Sequence, residues 1–441
     1  MGQTKRPKKI PATKTQPAAG TGTVKRLVVP VALAVVIAVG VVLRVINLAG
    51  VPSRSPDEKV YTRYASRIAD QGLGVTPALI AEFERNPGNW VYPPPTRIGY
   101  VWLVAAAMKV SGVGDESAGA AVSCLFSCLS LALVAWFGWR FFNPWIAVFA
   151  VTFLAFSVGE LGMAQRAWLD APLGFCGLLL AYLTSEITRS PRRVLLYAAW
   201  LAAGAYSLMT KESGVLSYGL CAAWVLGVLV VKERSWKAVA LLALGGVACL
   251  AGTLLVWGIL ANGIRPSLSA LHHVLSGHSA AGSYPTQYYS GPWYQFFYLL
   301  WIVGPATAAL ALVGTVVAVL PRRLLHRAEG VGQIVDPRAA EVAALIALGF
   351  VAFASFVPNF QYLRIISPAD GTYCLLAGLG LWYLLSLARG GLSVSDYRAL
   401  VVLVTVGIVI AVARDYRAFR AVVGSGTEDL AVRSIRAVMQ R

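Results

Sequence analysis

Apolar stretches of about 20 residues recur from one end of the chain to the other, and they constrain its fold more than any other feature. A helix needs a stretch of that length to cross the hydrocarbon core of a bilayer. Composition agrees, because 57% of the 441 residues are hydrophobic and only 13% are charged, whereas about 25% are charged in soluble domains. These values exclude an ordinary soluble enzyme.

The apolar pattern predicts an all-α polytopic membrane protein with about eleven transmembrane helices. Helices and closed barrels are the structures that satisfy backbone hydrogen bonds inside lipid, and the long apolar stretches favour helices. The predicted spans are residues 27–48, 118–139, 144–163, 172–188, 194–210, 213–231, 238–261, 294–320, 341–358, 368–388 and 398–414.

The basic residues predict how the chain is divided and oriented. Most of the excess charge, +18 in total, lies between apolar stretches, which indicates membrane orientation and anionic lipid and gives no reason to expect nucleic acid. We predict a disordered basic cytoplasmic tail over residues 1–26, a transmembrane domain over residues 27–414 and an outside C-terminal tail over residues 415–441.

With this orientation, the polar stretches 49–117 and 262–293 are outer loops. The segment 98–113 within the first loop is apolar but short and contains Lys109. If it crossed the membrane, every later basic loop would lie outside, against the positive-inside rule. It is therefore predicted to be an interfacial helix on the outer membrane surface.

Ionisable residues cluster at four places on the predicted outer side. The first loop contains Asp57 and Tyr61 on one helix face, after Ser55 and with Glu58 in the position of a capping box. A capped helix alone explains this pattern, and a base facing a membrane-level cavity explains it equally well. The three other places hold the following residues, each compatible with a solvated turn or a surface ion pair: Arg166 and Asp170, Lys211 beside Glu212, and Tyr362 with Arg364.

The order and spacing of these segments resemble the C-type (GT-C) membrane glycosyltransferases, in particular the branch of protein O-mannosyltransferases and aminoarabinose transferases. The resemblance runs from Arg44 to Trp382. Its motifs are Asp57-Glu58-Lys59-Val60-Tyr61 in the first outer loop, Arg166 with Asp170-Ala171-Pro172-Leu173, Lys211-Glu212-Ser213-Gly214, and Asn359-Phe360-Gln361-Tyr362.

The resemblance implies a glycosyltransferase that moves a sugar from a polyprenyl-phosphate-linked donor to a hydroxyl acceptor on a lipid, glycan or protein, with inversion. It implies an active site on the outer face of an integral membrane protein, most simply in a bacterial inner (plasma) membrane. Asp57 is then the catalytic base, and the expected substrate-binding residues are Glu58, Tyr61, Arg166, Asp170, Lys211, Tyr362 and Arg364. Arg166 is the first candidate for the donor phosphate, because a guanidinium can donate two parallel hydrogen bonds.

No cofactor is assigned. A divalent metal could be held by His272, His273 and His278 together with Asp170, but neighbouring histidines point in different directions and no local carboxylate pattern accompanies them. The alternative function is a secondary transporter or lipid flippase. That class needs ionisable groups near the bilayer midplane and broken helices. The sequence shows charges at helix ends and no inverted halves with matching broken helices, which favours the enzyme.

Overall fold

A computed structural model describes residues 22–46, 48, 55–231, 234, 236–279, 290–320, 336–357, 359 and 361–424. Within these ranges the regular structure is helical throughout, as predicted. Most of both predicted tails lies outside the described residues. Two boundaries differ from the prediction, because the first helix begins at Gly22 and the last one continues to Gly424, into the predicted C-terminal tail.

The helices follow one another with short connections. In chain order they are α1 (Gly22–Val45), α2 (Pro56–Gln71), α3 (Thr76–Arg85), α4 (Ile98–Ser111), α5 (Glu116–Phe141), α6 (Pro144–Ala155), α7 (Val158–Ala164), α8 (Asp170–Arg189), α9 (Val194–Thr210), α10 (Gly214–Val231), α11 (Trp236–Leu260), α12 (Ile264–Ser279), α13 (Gln295–Val303), α14 (Pro305–Val319), α15 (Pro337–Phe356), α16 (Ser367–Gly391) and α17 (Val394–Gly424). Three 3-10 turns, Leu73–Val75, Pro87–Asn89 and Leu363–Ile366, complete the described elements.

Eight helices in the described ranges are long and apolar enough to cross a membrane: α1, α5, α8, α10, α11, α15, α16 and α17. Two bent pairs, α6 with α7 and α13 with α14, raise the number to ten at most. The predicted number of eleven is therefore not confirmed. The remaining predicted span, 194–210, is α9, whose 17 residues extend only about 26 Å, less than a typical hydrocarbon core of about 30 Å.

The two bent pairs were not predicted. α6 and α7 meet at 62°, and α13 and α14 meet at 118°. At the first break, the Ser157 hydroxyl accepts a hydrogen bond from the Glu160 amide and caps α7. At the second, Gly304 ends α13 and Pro305 begins α14, where its missing amide hydrogen is not needed. Broken helices, which the sequence did not indicate, are thus part of the bundle.

α16 lies at the centre of the bundle and packs against α6, α8, α14 and α15. Small residues allow this close packing. A Cβ atom on Gly177 would collide with Pro368, and one on Gly314 would collide with the Leu376 carbonyl. The start of α16 is thereby held against the first half of α8, which brings the segments that precede both helices to the same end of the bundle.

The first loop folds as predicted around its cap. Ser55 and Glu58 form the capping box of α2, and Gly72 ends the helix with a φ of 79°. The segment predicted to be an interfacial helix is helical over α4, which packs against α2, α5 and α9. Its position relative to the membrane stays a prediction.

Candidate active site

Charged side chains from four separate segments meet at one end of the bundle. Asp57 lies in the first turn of α2, Asp170 begins α8, Lys211 lies between α9 and α10, and Arg364 lies in the turn before α16. The four segments are those in which the sequence analysis predicted site residues. α8 packs against α9, α10 and α16, which explains why the ends of these helices coincide.

Arg364 connects the two carboxylates of this group. Its Nη1 atom lies 3.6 Å from Asp57 Oδ2 and 3.8 Å from Asp170 Oδ2. Lys211 Nζ donates a 2.8 Å hydrogen bond to Asp170 Oδ1. The Asp170 side chain is 3% exposed, whereas that of Asp57 is 31% exposed. Asp57 is therefore the carboxylate of this chain of ion pairs that an incoming molecule can reach.

Two aromatic rings surround these cations. The Arg364 guanidinium lies 4.3 Å from the centre of the Trp168 ring, and the Arg166 guanidinium lies 4.9 Å from the same ring. The Tyr362 ring lies 5.9 Å from both Lys211 Nζ and the Arg364 guanidinium. Such contacts stabilise cations without neutralising them. Trp168 is a site residue that the sequence analysis missed, although it lies inside the motif that contains Arg166.

Lys211 keeps its charge in this environment. Burial alone would lower the pKa of its ammonium group, but the adjacent Asp170 carboxylate raises the pKa above its ordinary value. A positive charge is therefore available at this end of the bundle at every physiological pH.

Glu58 and Arg166 form a buried ion pair beneath Asp57. Arg166 Nη1 lies 3.1 Å from Glu58 Oε2, and both side chains are almost completely buried. Glu58 also accepts hydrogen bonds from the amides of Ala167, at 2.8 Å, and Ser55, at 2.7 Å. Together these contacts tie the start of α2 to the segment before α8. Both residues were predicted to bind substrate, and the structure pairs them with each other.

Tyr61 is also buried and belongs to a second group of contacts. Its hydroxyl accepts a 2.7 Å hydrogen bond from Arg97 Nη1, and Arg97 forms a two-point ion pair with Glu212, at 3.1 and 2.9 Å. This group connects α2, the start of α4 and the turn after α9. Arg97 was not predicted. Its sequence signal is weak, a single arginine between a run of prolines and an apolar helix.

The electrostatics of this second group are those of a permanent ion pair. Burial raises the pKa of Glu212, but the Arg97 guanidinium outweighs it and holds the pKa of Glu212 below its ordinary value. Burial likewise raises the pKa of the Tyr61 phenol above its ordinary value, so Tyr61 stays neutral. These residues hold the first loop against the bundle.

The histidines considered for a metal lie elsewhere in the described structure. The His273 ring stacks on Trp90, with 3.6 Å between ring centres, and is within 3.2 Å of the Ser269 hydroxyl. The side chain of His278 lies outside the described residues. In the ranges that the structure describes, no three histidine, cysteine or acidic side chains lie close enough to hold a metal ion together.

Sequence comparison does not identify relatives, because no protein-family model and no curated protein matches the chain. Solved structures do match. ArnT from Cupriavidus metallidurans in the apo state is 20% identical, with a TM-score of 0.56 over 91% of this chain and 73% of that protein. The same protein bound to undecaprenyl phosphate is 19% identical, with a TM-score of 0.53 over 94% of this chain and 74% of that protein.

A second solved protein is also similar in structure at low sequence identity. The oligosaccharyltransferase of Archaeoglobus fulgidus in its apo form is 12% identical, with a TM-score of 0.59. The alignment covers 90% of this chain but only 56% of that protein, so this chain corresponds to about half of it. Both similar proteins are GT-C glycosyltransferases. The helices and their arrangement therefore have the fold of the C-type membrane glycosyltransferases, the group that the sequence motifs resemble.

Proposed function

We propose that the protein is a membrane glycosyltransferase that moves a sugar from a polyprenyl-phosphate-linked donor to a hydroxyl group on a lipid, glycan or protein. The observation that carries this proposal is the position of Asp57, a partly exposed carboxylate 3.6 Å from Arg364. A proton acceptor thus lies next to cations suited to a phosphate leaving group. The complex of ArnT with undecaprenyl phosphate adds support, because that protein shares the fold and its ligand is a polyprenyl phosphate.

The proposed reaction is a single displacement. The acceptor hydroxyl oxygen attacks the anomeric carbon of the sugar, and Asp57 takes the hydroxyl proton. The bond between that carbon and the phosphate oxygen breaks, and the polyprenyl phosphate leaves with the electron pair. Attack from the side opposite the leaving group inverts the anomeric configuration. Negative charge accumulates on the phosphate, so fixed cations there lower the barrier.

Lys211 and Arg364 are the residues that we assign to the phosphate. Their side chains are 13% and 20% exposed, and both lie beside the Tyr362 ring. The Arg166 side chain is only 4% exposed, and its partner Glu58 is completely buried, so an incoming phosphate reaches neither of them. We therefore propose that Arg166 is a positioning residue, which holds Trp168 and the segment before α8. We propose that Asp170 orients Lys211 and Arg364.

We propose that the site faces outward from a bacterial inner (plasma) membrane. Basic residues support this orientation. Arg140 and Arg189 lie at the ends of α5 and α8 opposite to Asp170, and Arg140 forms a 2.9 Å ion pair with Glu186 there. Basic residues between spans favour the cytoplasmic side.

The test is to incubate the purified protein with a panel of polyprenyl-phosphate sugars and acceptors and to measure release of free polyprenyl phosphate. At least one donor should yield equimolar free polyprenyl phosphate and glycosylated acceptor. If every donor is recovered intact while the protein carries it across the membrane of a vesicle, the protein is a flippase.

That alternative, a secondary transporter or lipid flippase, has one structural observation in its favour. Two of the spans are broken, and buried ionisable residues, Arg44 and Glu160 among them, lie close to the first break. Arg44 donates a 3.1 Å hydrogen bond to the Leu154 carbonyl in the last turn of α6. Ion-coupled transporters use such breaks.

A further inference from the structure

Arg44 and Glu160 are buried charged residues that have no part in the proposed reaction. Arg44 is fully buried in the last turn of α1, and Glu160 is 2% exposed in the first turn of α7. A buried charged group is costly unless hydrogen bonds and neighbouring charges compensate for it. For both residues the compensation comes from one hydrogen-bond network, which joins α1, α5, α6 and α7.

Arg44 holds the end of α6. Its guanidinium donates hydrogen bonds to the carbonyls of Leu154, at 3.1 Å, and Ala155, at 3.3 Å. These residues end α6, and the carbonyls at a helix end lack part of their helical partners and attract a positive charge. The Gly40 carbonyl of α1 accepts a further hydrogen bond at 3.0 Å. The break between α6 and α7 is therefore fixed against α1.

Ser127 on α5 links Arg44 to Glu160. Arg44 Nε donates a 2.7 Å hydrogen bond to the Ser127 hydroxyl, which in turn donates a 3.1 Å hydrogen bond to Glu160 Oε2. After the other end of α7, Gln165 Nε2 donates a 2.8 Å hydrogen bond to the Leu43 carbonyl of α1. α7 is thus held at both of its ends.

The segment that follows α7 contacts both residues that we assign to the phosphate. The Trp168 ring lies 4.3 Å from the Arg364 guanidinium. Asp170 accepts a 2.8 Å hydrogen bond from Lys211. A shift of α7 would displace this segment and, with it, both cations. A displacement of about 1 Å among reacting groups can cost about a hundredfold in rate, even when its cause lies far from the chemistry.

We propose that Arg44, Ser127 and Glu160 are positioning residues for the sugar transfer. By holding α7, they keep Trp168 and Asp170 where these side chains fix the phosphate-binding cations. This inference rests on the proposed function. Buried hydrogen-bond networks whose members are satisfied rigidify a structure, and the Arg44 guanidinium makes four hydrogen bonds to groups on three helices. The buried charges beside the first break then serve catalysis and not transport.

Ser127→Ala tests the proposal, because it removes the link between the two charged residues with a small change in volume. Ser130→Ala is the matched control, since Ser130 is also buried on α5 and its hydroxyl donates to the Phe126 carbonyl of the same helix. With a donor that the wild type uses, Ser127→Ala should lower kcat about ten- to a hundredfold. The donor KM should be nearly unchanged, as expected for a loss confined to the transition state. Ser130→Ala should keep the kcat of the wild type.

A labelling measurement tests the same link without any substrate. Met163, in α7, is 2% exposed and packs with Trp168. In a Met163→Cys protein, N-ethylmaleimide modifies this position at a rate that peptide mass spectrometry measures. Adding Ser127→Ala should raise that rate at least about tenfold, because local opening exposes the thiol. Adding Ser130→Ala should leave the rate unchanged.

Two results would overturn the proposal. One is a Ser127→Ala protein with the kcat of Ser130→Ala, and the other is an equal labelling rate in the two variants. If the wild type uses no donor, the proposed function fails, and the labelling rates still decide whether the network holds α7. Arg44→Lys provides a second variant and should also lower kcat, because one ammonium group cannot span Ser127 and the carbonyls of α6 as a guanidinium does.

Discussion

Asp57 and Glu58 are adjacent in the chain but have opposite environments. The Asp57 side chain is 31% exposed beside Arg364, whereas that of Glu58 is fully buried against Arg166. Successive helical residues point in directions about 100° apart, so one faces the open end of the site and the other faces the bundle. A residue that takes a proton from substrate has to be reachable, and the greater exposure of Asp57 supports our proposal that Asp57, and not Glu58, is the proton acceptor.

We expect Arg166→Lys to reduce stability more than it affects donor binding. Lysine cannot both pair with Glu58 and stack on Trp168 as the guanidinium does. The expected loss is about 1–3 kcal/mol of unfolding free energy, below the cost of about 3–5 kcal/mol for removing one partner of a buried ion pair. Thermal unfolding in detergent and the KM for the donor measure the two effects separately.

The matched control is Arg189→Lys at the exposed end of α8, which should leave both quantities unchanged. An Arg166→Lys protein with the Tm of the wild type and a raised donor KM would instead indicate that Arg166 touches the phosphate.

The Arg97–Glu212 pair should make stability depend on pH in one direction. The pKa of Glu212 is lowered in the folded protein, so its contribution is complete above the unfolded pKa of about 4.3 and is lost as the pH falls through the lower folded value. Glu212→Gln should therefore reduce the Tm at pH 7. The difference between wild type and variant should shrink as the pH is lowered toward 3, and a constant difference would contradict this interpretation.

The sequence identified which segments carry the site but not which side chains pair. Asp57, Asp170, Lys211 and Arg364 come from the four segments that were predicted to lie on one side of the membrane, and in the structure they form one chain of ion pairs. The capping box alone explains why a glutamate stands at position 58. The neighbouring sequence therefore does not indicate that Glu58 also pairs with Arg166, 108 residues away. Arg97 and Glu212 are 115 residues apart, and only the packing of α4 against α9 joins them.

At the scale of elements, length and apolarity predicted where helices lie but not where they bend. The spans at 144–163 and 294–320 read as continuous apolar runs of sufficient length, and each is two helices. A proline such as Pro305 is tolerated in transmembrane helices, because neighbouring helices satisfy the freed backbone groups. Whether such a proline bends the helix depends on how the neighbouring helices pack, and the apolar sequence alone does not reveal that packing.

The contact between α14 and α16 provides a test at this scale. Gly314 meets the Leu376 carbonyl and the Gly380 amide so closely that a side chain cannot be accommodated without moving a helix. We expect Gly314→Val to lower the unfolding free energy by at least about 1–3 kcal/mol, as overpacking does in cores. Gly252→Val is the matched control, because nothing lies within 4 Å of its Cβ position on α11. Equal melting temperatures for the two variants would mean that the helices are not packed as described.

At the scale of the whole molecule, the charge pattern predicts that α4 does not cross the membrane. If so, residue 140 faces the cytoplasm, while residue 85 at the end of α3 faces outward with the site. In a protein without its native cysteines, Arg140→Cys should be labelled by an impermeant reagent only from the cytoplasmic side, and Arg85→Cys only from the outside. Labelling of both from the same side would overturn the proposed orientation.

The central claim is that the chain transfers sugar with Asp57 as the base, and its most direct test compares wild type with Asp57→Asn. Asparagine keeps the size of the side chain and its place in the first turn of α2 but cannot accept the proton. With a polyprenyl-phosphate sugar that the wild type uses, we predict that kcat falls at least about 100-fold while donor binding and Tm are nearly unchanged. Normal turnover by Asp57→Asn would contradict the account and leave Asp57 as part of a capped helix only.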